Sequence, residues 1–207
     1  MTDSAQESRR NALSATGDAR VSRTRRRLSD ALHDEIAESG AGNLSVATIT
    51  RRAGVARSTF YTHFATVEAL ALFAVEELFD ELGSVDVARR AHSGLSREQI
   101  TRTGLADVLD GLLANDYLLR LARDGSSGAA IRERFVDEMA RNIVPIIAIE
   151  RPDATAELLD YGSQFLAAGT LRVMMHWLSD ERQTSRAELV ELILGMLPAY
   201  LTGRGAD

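Results

Sequence analysis

The stretch of residues 44–64 constrains the fold of this 207-residue chain more than any other part. Ser45 is a good N-cap, because its hydroxyl can accept a hydrogen bond from an amide one turn later. Gly54 marks a corner, because a residue with a Cβ is penalised at positive φ. Between the two, apolar residues recur at helical spacing on one face, namely Val46, Ile49 and Ala53. The pattern predicts two short helices joined by a tight turn.

The second helix of this pair has a buried side and an outer side. It begins near Ala56, and the spacing of four between Phe60 and Phe64 points both rings into the core. The opposite side carries Arg57, Ser58, Tyr61 and Thr62. An arginine, hydroxyls and a phenol on the outer face of such a helix suit the major groove of DNA.

The stretch resembles the helix-turn-helix of the TetR family of transcriptional repressors. The resemblance is carried by the run Ala53-Gly54-Val55-x-Arg57-x-Thr59-Phe60-Tyr61-x-His63-Phe64, followed by Glu68-Ala69-Leu70. It covers about residues 21–82, and beyond them it extends only to size and helical organisation. It implies an all-α fold of about nine helices, with an N-terminal three-helix DNA-binding head and a helical ligand-binding and dimerisation body. We expect a disordered arm at residues 1–20, a DNA-binding domain at 21–82 and a ligand-binding and dimerisation domain at 83–207.

The resemblance also assigns roles to residues of the head. Tyr61 and His63 are expected to contact phosphates, while Arg57, Ser58 and Thr62 face the groove, with Arg57 reading a guanine. Residues at the start of the preceding helix are expected to hold the DNA backbone. Two positions depart from the family pattern: Val67 replaces a basic residue, and Thr50 replaces a small alanine. The candidate DNA-binding residues are Ser45, Thr48, Arg57, Ser58, Thr59, Tyr61, Thr62 and His63.

The charge of the chain is unevenly distributed. The net charge is −6, but residues 1–64 hold ten arginines and seven acidic residues, a balance of +3, and the remainder carries −9. A basic head on an acidic body places the attraction for phosphate where the motif lies. Four of these ten arginines, Arg23, Arg25, Arg26 and Arg27, are expected at the start of the first helix. They either contact phosphates or the minor groove, or they form a solvated charged face.

The composition excludes several classes of site. The chain has no cysteine, and all 24 basic residues are arginine. It therefore lacks a disulfide framework, a thiolate metal site and the lysine of a phosphate-binding P-loop. No secretory segment opens the chain, and no apolar run reaches the ~18 residues that span a bilayer. We expect a cytoplasmic protein with no membrane partner, cofactor or metal site, since His176 has no second metal ligand at suitable spacing.

The rest of the chain reads as helices, because no segment alternates with period two for long enough to form a strand. The first helix is expected to stop at Ser39-Gly40, and Thr66 to cap a fourth helix. Residues 84–96 are predicted to form an irregular connection. Helices are then predicted at 100–122 with a break near Asn115-Asp116, at 131–149 with Pro145 kinking or shortening the end, at 154–178 and at 186–201, with a loop at 125–128.

The last two helices are apolar nearly all round. A helix on the outside of one domain should have a polar half, so one that lacks it needs two apolar neighbours. We therefore predict a two-fold homodimer through a four-helix bundle, although deep burial inside one chain explains the same pattern. The candidate interface residues are Ala168, Gly169, Leu171, Met175, Trp177, Leu189, Ile193 and Met196.

The resemblance further implies a small-molecule effector that binds among the body helices and releases a near-palindromic DNA operator. Methionines and aromatics among the candidates favour an apolar ligand. Two other functions stay open: an all-α enzyme, for which the four histidines lie scattered, or a helical dimer that acts only through protein interaction. The residues do not separate repressor from activator. The candidate ligand-binding residues are Phe79, Leu113, Tyr117, Phe135, Met139, Asn142, Gln164, Phe165 and Met174.

Overall fold

The computed structural model describes the backbone of residues 2–92, 94–179 and 184–204, and among these the side chains from residue 19 onward except that of residue 43. In this part of the chain the secondary structure is helical throughout, which confirms the all-α prediction. The helices are α1 Thr2–Ser39, α2 Val46–Ala53, α3 Arg57–His63, α4 Val67–His92, α5 Arg97–Ala114, α6 Asp116–Asp124, α7 Gly128–Glu150, α8 Ala156–Ser179, α9 Arg186–Met196 and α10 Ala199–Thr202, with a short 3₁₀ helix at Ala41–Asn43.

The beginning of α1 differs from the predicted disordered arm. The helix starts at Thr2, whereas the sequence analysis places an irregular segment up to about residue 20. This stretch has no proline, and it contains alanine, leucine, glutamine, glutamate and arginine, which favour helix. The side chains of residues 1–18 lie outside the described residues, and the domain limits of the sequence analysis stay a prediction.

The chain divides into two compact units, residues 1–71 and 72–207. In the first unit α1 packs against α2 and α3. The buried residues come from all three helices and from the first turn of α4. The large side chains that are completely buried are Leu28, Leu32, Ile36, Ile49, Phe60 and Leu70. The apolar spacing read from the sequence therefore gives the core of the helix-turn-helix unit.

The turns of the first unit form as predicted. The Ser45 hydroxyl accepts a hydrogen bond from the Thr48 amide at 3.1 Å, and the Thr48 hydroxyl oxygen lies 3.3 Å from the Ser45 amide that donates to it. Together these bonds form a capping box, which satisfies two amides at the start of α2. Gly54 ends α2 in the left-handed conformation, at φ 62° and ψ 39°, so the predicted corner is confirmed.

The second unit contains α5 to α10 and most of α4. The break at Asn115 between α5 and α6 is confirmed. The irregular connection predicted for residues 84–96 is wrong over most of its length, because α4 continues to His92. Within this extension Asp86 and Arg90 pair at i,i+4 spacing, which stabilises a helix. The Ser84 hydroxyl donates to the Glu81 carbonyl at 2.9 Å, so it bonds inside the helix instead of ending it.

Two prolines have different effects on the second unit. Pro145 lies inside α7, yet the helix continues to Glu150, so the predicted shortening is wrong. Pro198 separates α9 from α10, which makes two helices of the single one predicted for residues 186–201. Among the described residues no helix is both long enough and apolar enough to cross a membrane.

An ionic cluster ties the chain end to α5 and α9. Glu98 of α5 accepts hydrogen bonds from Arg204 and from Arg102, and Arg102 also donates to Glu191 of α9. The hydrogen bonds from Arg204 and then Arg102 lower the pKa of Glu98 to about 2. The cluster lies at the surface, so its contribution to the free energy of unfolding is small.

The Ser45→Ala variant tests the capping box. Losing an N-cap hydroxyl costs ~1 kcal/mol, so local opening of α2 should become about fivefold more frequent. Amide hydrogen exchange of residues 48–53 measures this. The matched control is Ser58→Ala, because Ser58 is exposed and caps no helix. Equal exchange rates in the two variants would contradict the assignment of Ser45 as the cap.

Candidate nucleic-acid interface and internal cavity

The outer face of α3 presents the side chains that the sequence predicts. Arg57, Ser58, Tyr61 and Thr62 are all exposed, and Tyr61 retains 50% of its accessible surface. The opposite face of the same helix is held by Phe60, which is completely buried. The rotation of α3 is therefore fixed by the core, and it sets a cationic and hydroxyl-bearing surface toward solvent.

Arg57 and Tyr61 act as a pair on this face. The Arg57 Nη2 donates to the Tyr61 hydroxyl at 3.3 Å, and its guanidinium carbon lies 5.8 Å from the centroid of the phenol ring. The Tyr61 ring packs edge-on against Phe60, with centroids 5.6 Å apart. Arg57 is thus oriented by a side chain that is itself anchored to the core, while the guanidinium remains accessible to a ligand.

The remaining candidates of this surface are less exposed. Ser45, Thr48, Thr59 and His63 are half-buried. The Ser45 and Thr48 hydroxyls bond each other at 3.2 Å in addition to forming the capping box, so both have a structural role. His63 is the last residue of α3 and lies beside Phe64, with ring centroids 6.4 Å apart. Thr50, which departs from the family pattern, is buried and donates to the Val46 carbonyl at 2.7 Å.

Two arginines of this unit serve the fold. The Arg27 Nη2 donates to the Ala53 carbonyl at 2.6 Å, which satisfies an open carbonyl at the end of α2. Arg52 binds Glu35 and Glu38 of α1. Its hydrogen bond lowers the pKa of Glu38, and the bonds to Glu38 and Glu35 raise the pKa of Arg52. Of the four arginines at residues 23–27 of α1, Arg23, Arg26 and Arg27 are exposed and Arg25 is half-buried.

The second unit contains a cavity of about 100 Å³ that is lined by α4, α5, α7 and α8 and by Leu197 and Leu201. Three of the predicted ligand-binding residues line it: Phe79, Met139 and Asn142. The cavity also has polar lining residues that are not predicted from the sequence, namely Asp86, Arg90, Thr101, Asp107 and Thr170. Among the described residues, no group of histidine, cysteine, aspartate and glutamate side chains is placed to hold a metal ion.

The other predicted ligand-binding residues lie elsewhere. Tyr117, Phe135 and Met174 are buried in the core outside the cavity lining. Leu113 is half-exposed and lines a separate open groove beside α6 and α8. Gln164 is exposed, and Phe165 keeps 78% of its surface accessible, so neither faces the cavity. The reason for these corrections is that α8 is apolar on both sides, and its sequence does not show which side faces inward.

The same ambiguity affects the predicted dimer interface. Leu171, Leu189 and Ile193 are buried within the chain, and Met175 and Trp177 are half-buried. The Trp177 indole donates to the Thr184 carbonyl at 2.7 Å, a contact inside the chain. The exposed predicted residues are Ala168, Gly169 and Met196. The apolar side chains that share this outward face and were missed are Tyr161, Phe165 and Leu192.

Comparison with known proteins agrees with this architecture. The family described as "Bacterial regulatory proteins, tetR family" matches residues 28–74. An HTH-type transcriptional regulator of Haemophilus influenzae is 33% identical over 134 residues, which is 58% of this chain and 63% of that protein. Residues 28–74 of this chain are thus similar to the DNA-binding regulators of the TetR family. The match therefore spans less than two thirds of the length of this relative.

Solved structures of TetR-family regulators share the fold. The fatty acid degradation regulator FadR from Bacillus halodurans superimposes with a TM-score of 0.58 at 17% identity, over 87% of this chain and 95% of that one. A TetR transcriptional regulator from Streptococcus agalactiae gives a TM-score of 0.57 at 20% identity, over 88% and 98% of the two chains. The family that matches residues 28–74 and the curated relative are both described as regulatory proteins.

The Arg27→Ala variant tests whether this arginine of the first unit serves the fold. Removing its bond to the Ala53 carbonyl should destabilise the corner by about 1 kcal/mol. Amide hydrogen exchange of residues 50–60 should speed up about fivefold. Arg26→Ala is the matched control, since Arg26 is its exposed neighbour. If both variants leave the exchange rates unchanged, Arg27 does not hold the corner.

Proposed function

We propose that this protein is a sequence-specific transcriptional regulator that binds a near-palindromic DNA operator as a homodimer and is released by a small molecule. The observation that carries the proposal is the exposed Arg57–Tyr61 pair on α3, held outward by the buried Phe60 in a helix-turn-helix of the TetR family. A recognition helix enters the major groove with such a face. We favour repression over activation, because the helix-turn-helix resembles that of a family of transcriptional repressors.

The outer face of α3 divides into base-reading and phosphate-binding groups. Arg57 presents a planar fork of donors that matches the O6 and N7 atoms of a guanine. Ser58 and Thr62, one turn apart on the same side, are short enough to follow it into the groove. The Tyr61 hydroxyl and His63 are assigned to phosphates. Ser45 and Thr48 contribute less, because their hydroxyls already bond each other.

The Arg57→Ala variant tests the base-reading role. If Arg57 reads a guanine, the variant should lose ~1–3 kcal/mol on the operator and little on random DNA. Titration of both duplexes at two salt concentrations, by fluorescence anisotropy, separates the two effects. Arg26→Ala is the control, because an exposed arginine outside α3 that contacts only phosphates weakens both duplexes equally. Equal losses on the two duplexes for Arg57→Ala would show that it supplies charge only.

The proposed homodimer uses the outward face of α8 and α9. Phe165, Met196 and Leu192 keep 78%, 65% and 60% of their surfaces accessible, which is unusual for large apolar side chains close together. Gly169 and Gly195 have open space around the position of a Cβ, so nothing within the chain requires glycine there. A second copy of the same two helices would cover this face, and two-fold pairing would present two α3 helices.

A double variant, Phe165→Glu with Met196→Glu, tests this interface. In the dimer the two new carboxylates of each subunit would be buried against apolar side chains of the other, where no positive charge pairs with them. The dimer should therefore dissociate at micromolar concentration. Sedimentation equilibrium measures the mass. Ile149→Glu is the control, because Ile149 is a half-exposed apolar residue of α7 outside this face. A double variant that remains a dimer would contradict the interface, and a monomeric wild-type protein would contradict the proposed dimer.

Release by a ligand is proposed to act through α4. Leu70 near the start of this helix is buried in the first unit, and Phe79 further along it lines the cavity of the second. The ligand and the operator would favour different arrangements of α4. The ligand then lowers the affinity for the operator by the same factor by which the operator lowers the affinity for the ligand. The cavity is therefore the proposed effector site.

A further inference from the structure

The cavity of the second unit has one polar corner in an apolar lining. Its walls include apolar side chains from four helices, namely Phe79, Leu105, Met139, Ile143 and Leu166. The corner is formed by Asp86 and Arg90 of α4 and by Thr101 and Gly104 of α5. A polar corner of this kind fixes the orientation of a ligand whose remaining surface is apolar.

Each of the three nitrogens of the guanidinium at this corner donates a hydrogen bond within the chain. Arg90 Nε donates to Asp86 Oδ2 at 2.9 Å, Nη1 donates to Glu150 Oε1 at 2.8 Å, and Nη2 donates to Thr101 Oγ1 at 3.0 Å. The Thr101 hydroxyl in turn donates to the Leu201 carbonyl at 2.7 Å. Arg90 is almost completely buried, so this network fixes it in place and fixes one oxygen of Asp86 with it.

The second oxygen of Asp86 has no hydrogen-bond partner among the described residues. Asp86 is 8% exposed, and its Oδ1 is out of reach of solvent. Oδ1 lies against Gly104, where an added Cβ would come within 2.7 Å of it. An ionised carboxylate oxygen that is buried without a donor is unfavourable. Because Asp86 and Gly104 both line the cavity, a donor bound at this corner could satisfy Oδ1 while Oδ2 keeps its bond to Arg90.

The charges at this corner already balance. Two carboxylates, Asp86 and Glu150, face Arg90, and Glu150 also binds Arg97. Asp107, another residue of the lining, pairs with Arg89. A ligand carboxylate would lie beside Asp86 and be repelled, and a ligand ammonium would add an uncompensated charge to an apolar site. The corner therefore needs a neutral donor.

We propose that the effector of this protein is a compact, mainly apolar and uncharged molecule with a hydroxyl or N–H group that donates to Asp86 Oδ1. Asp86 is then the residue that determines ligand specificity. This inference rests on the proposed function, because it takes the cavity to be the effector site. The volume of about 100 Å³ is of the order of the roughly 150 Å³ apolar cavities that hold one benzene ring.

Four single-ring probes of similar size test the proposal by calorimetric titration of the full-length protein without DNA. Phenol carries a donor, toluene is nearly the same size without one, anisole only accepts, and benzoate is charged. Phenol should bind about tenfold more tightly than toluene or anisole, the gain expected for a hydrogen bond to a charged acceptor. Benzoate should bind most weakly, because its charge is buried beside a carboxylate.

Two variants separate recognition from folding. In Asp86→Asn the amide oxygen faces Arg90 and the NH₂ group faces the cavity, so the preference for phenol over anisole should disappear or reverse. In Gly104→Ala the added Cβ crowds Oδ1 and leaves the charge in place, so the phenol-to-toluene ratio should fall toward one. Asp137→Asn is the control, because Asp137 is exposed on α7 and is not in the lining; it should keep the full ratio.

The outcomes distinguish this inference from the proposed function. Equal affinity for phenol and toluene in the wild-type protein, or an unchanged preference in Asp86→Asn, overturns the role of Asp86. Operator binding is measured separately on the same samples. A protein that binds its operator but shows no donor preference contradicts only the inference. A protein that prefers phenol but binds no operator contradicts only the proposed function.

Discussion

Burial of Phe60 is the interaction on which the first unit depends. Its ring is completely buried, and it contacts Phe64 at a centroid distance of 6.0 Å and Tyr61 edge-on. Removing such a ring from a core costs roughly 3–5 kcal/mol. Because a helix turns 100° per residue, fixing Phe60 inward places Ser58 and Thr62 on the opposite side, about 160° away, and Arg57 and Tyr61 on one flank, about 60° and 100° away; all four are exposed. The energy of the core and the geometry of the proposed DNA-binding face therefore have the same origin.

Charge alone does not separate structural from functional residues in this protein. Arg27 and Arg52 lie in the same basic unit as Arg57, yet both bind the chain itself. Arg57 donates to Tyr61, one turn away on the exposed face, and is itself exposed. In the second unit each nitrogen of the Arg90 guanidinium has a partner, whereas one oxygen of its neighbour Asp86 has no hydrogen-bond partner among the described residues. The partners of each group decide its role.

The local features of the fold could be predicted from the sequence, because they depend on a few neighbouring residues. The cap at Ser45, the left-handed Gly54 and the break at Asn115 are of this kind. Which side of α8 faces the core could not be predicted, because its residues are apolar on both sides. The sequence therefore suggests Phe165 as a pocket residue, whereas in the structure its side chain is exposed. The Asp86–Arg90–Glu150 network was also missed, since it joins positions 60 residues apart.

The most direct measurement of the central claim is hydroxyl-radical footprinting of the wild-type protein on an operator selected from random DNA. If the core-fixed face of α3 is presented twice by a two-fold dimer, the footprint should show two inverted half-sites. Their centres should lie one helical turn, about 34–36 Å, or a multiple of it apart. A single protected half-site, or uniform protection without symmetry, would contradict the account.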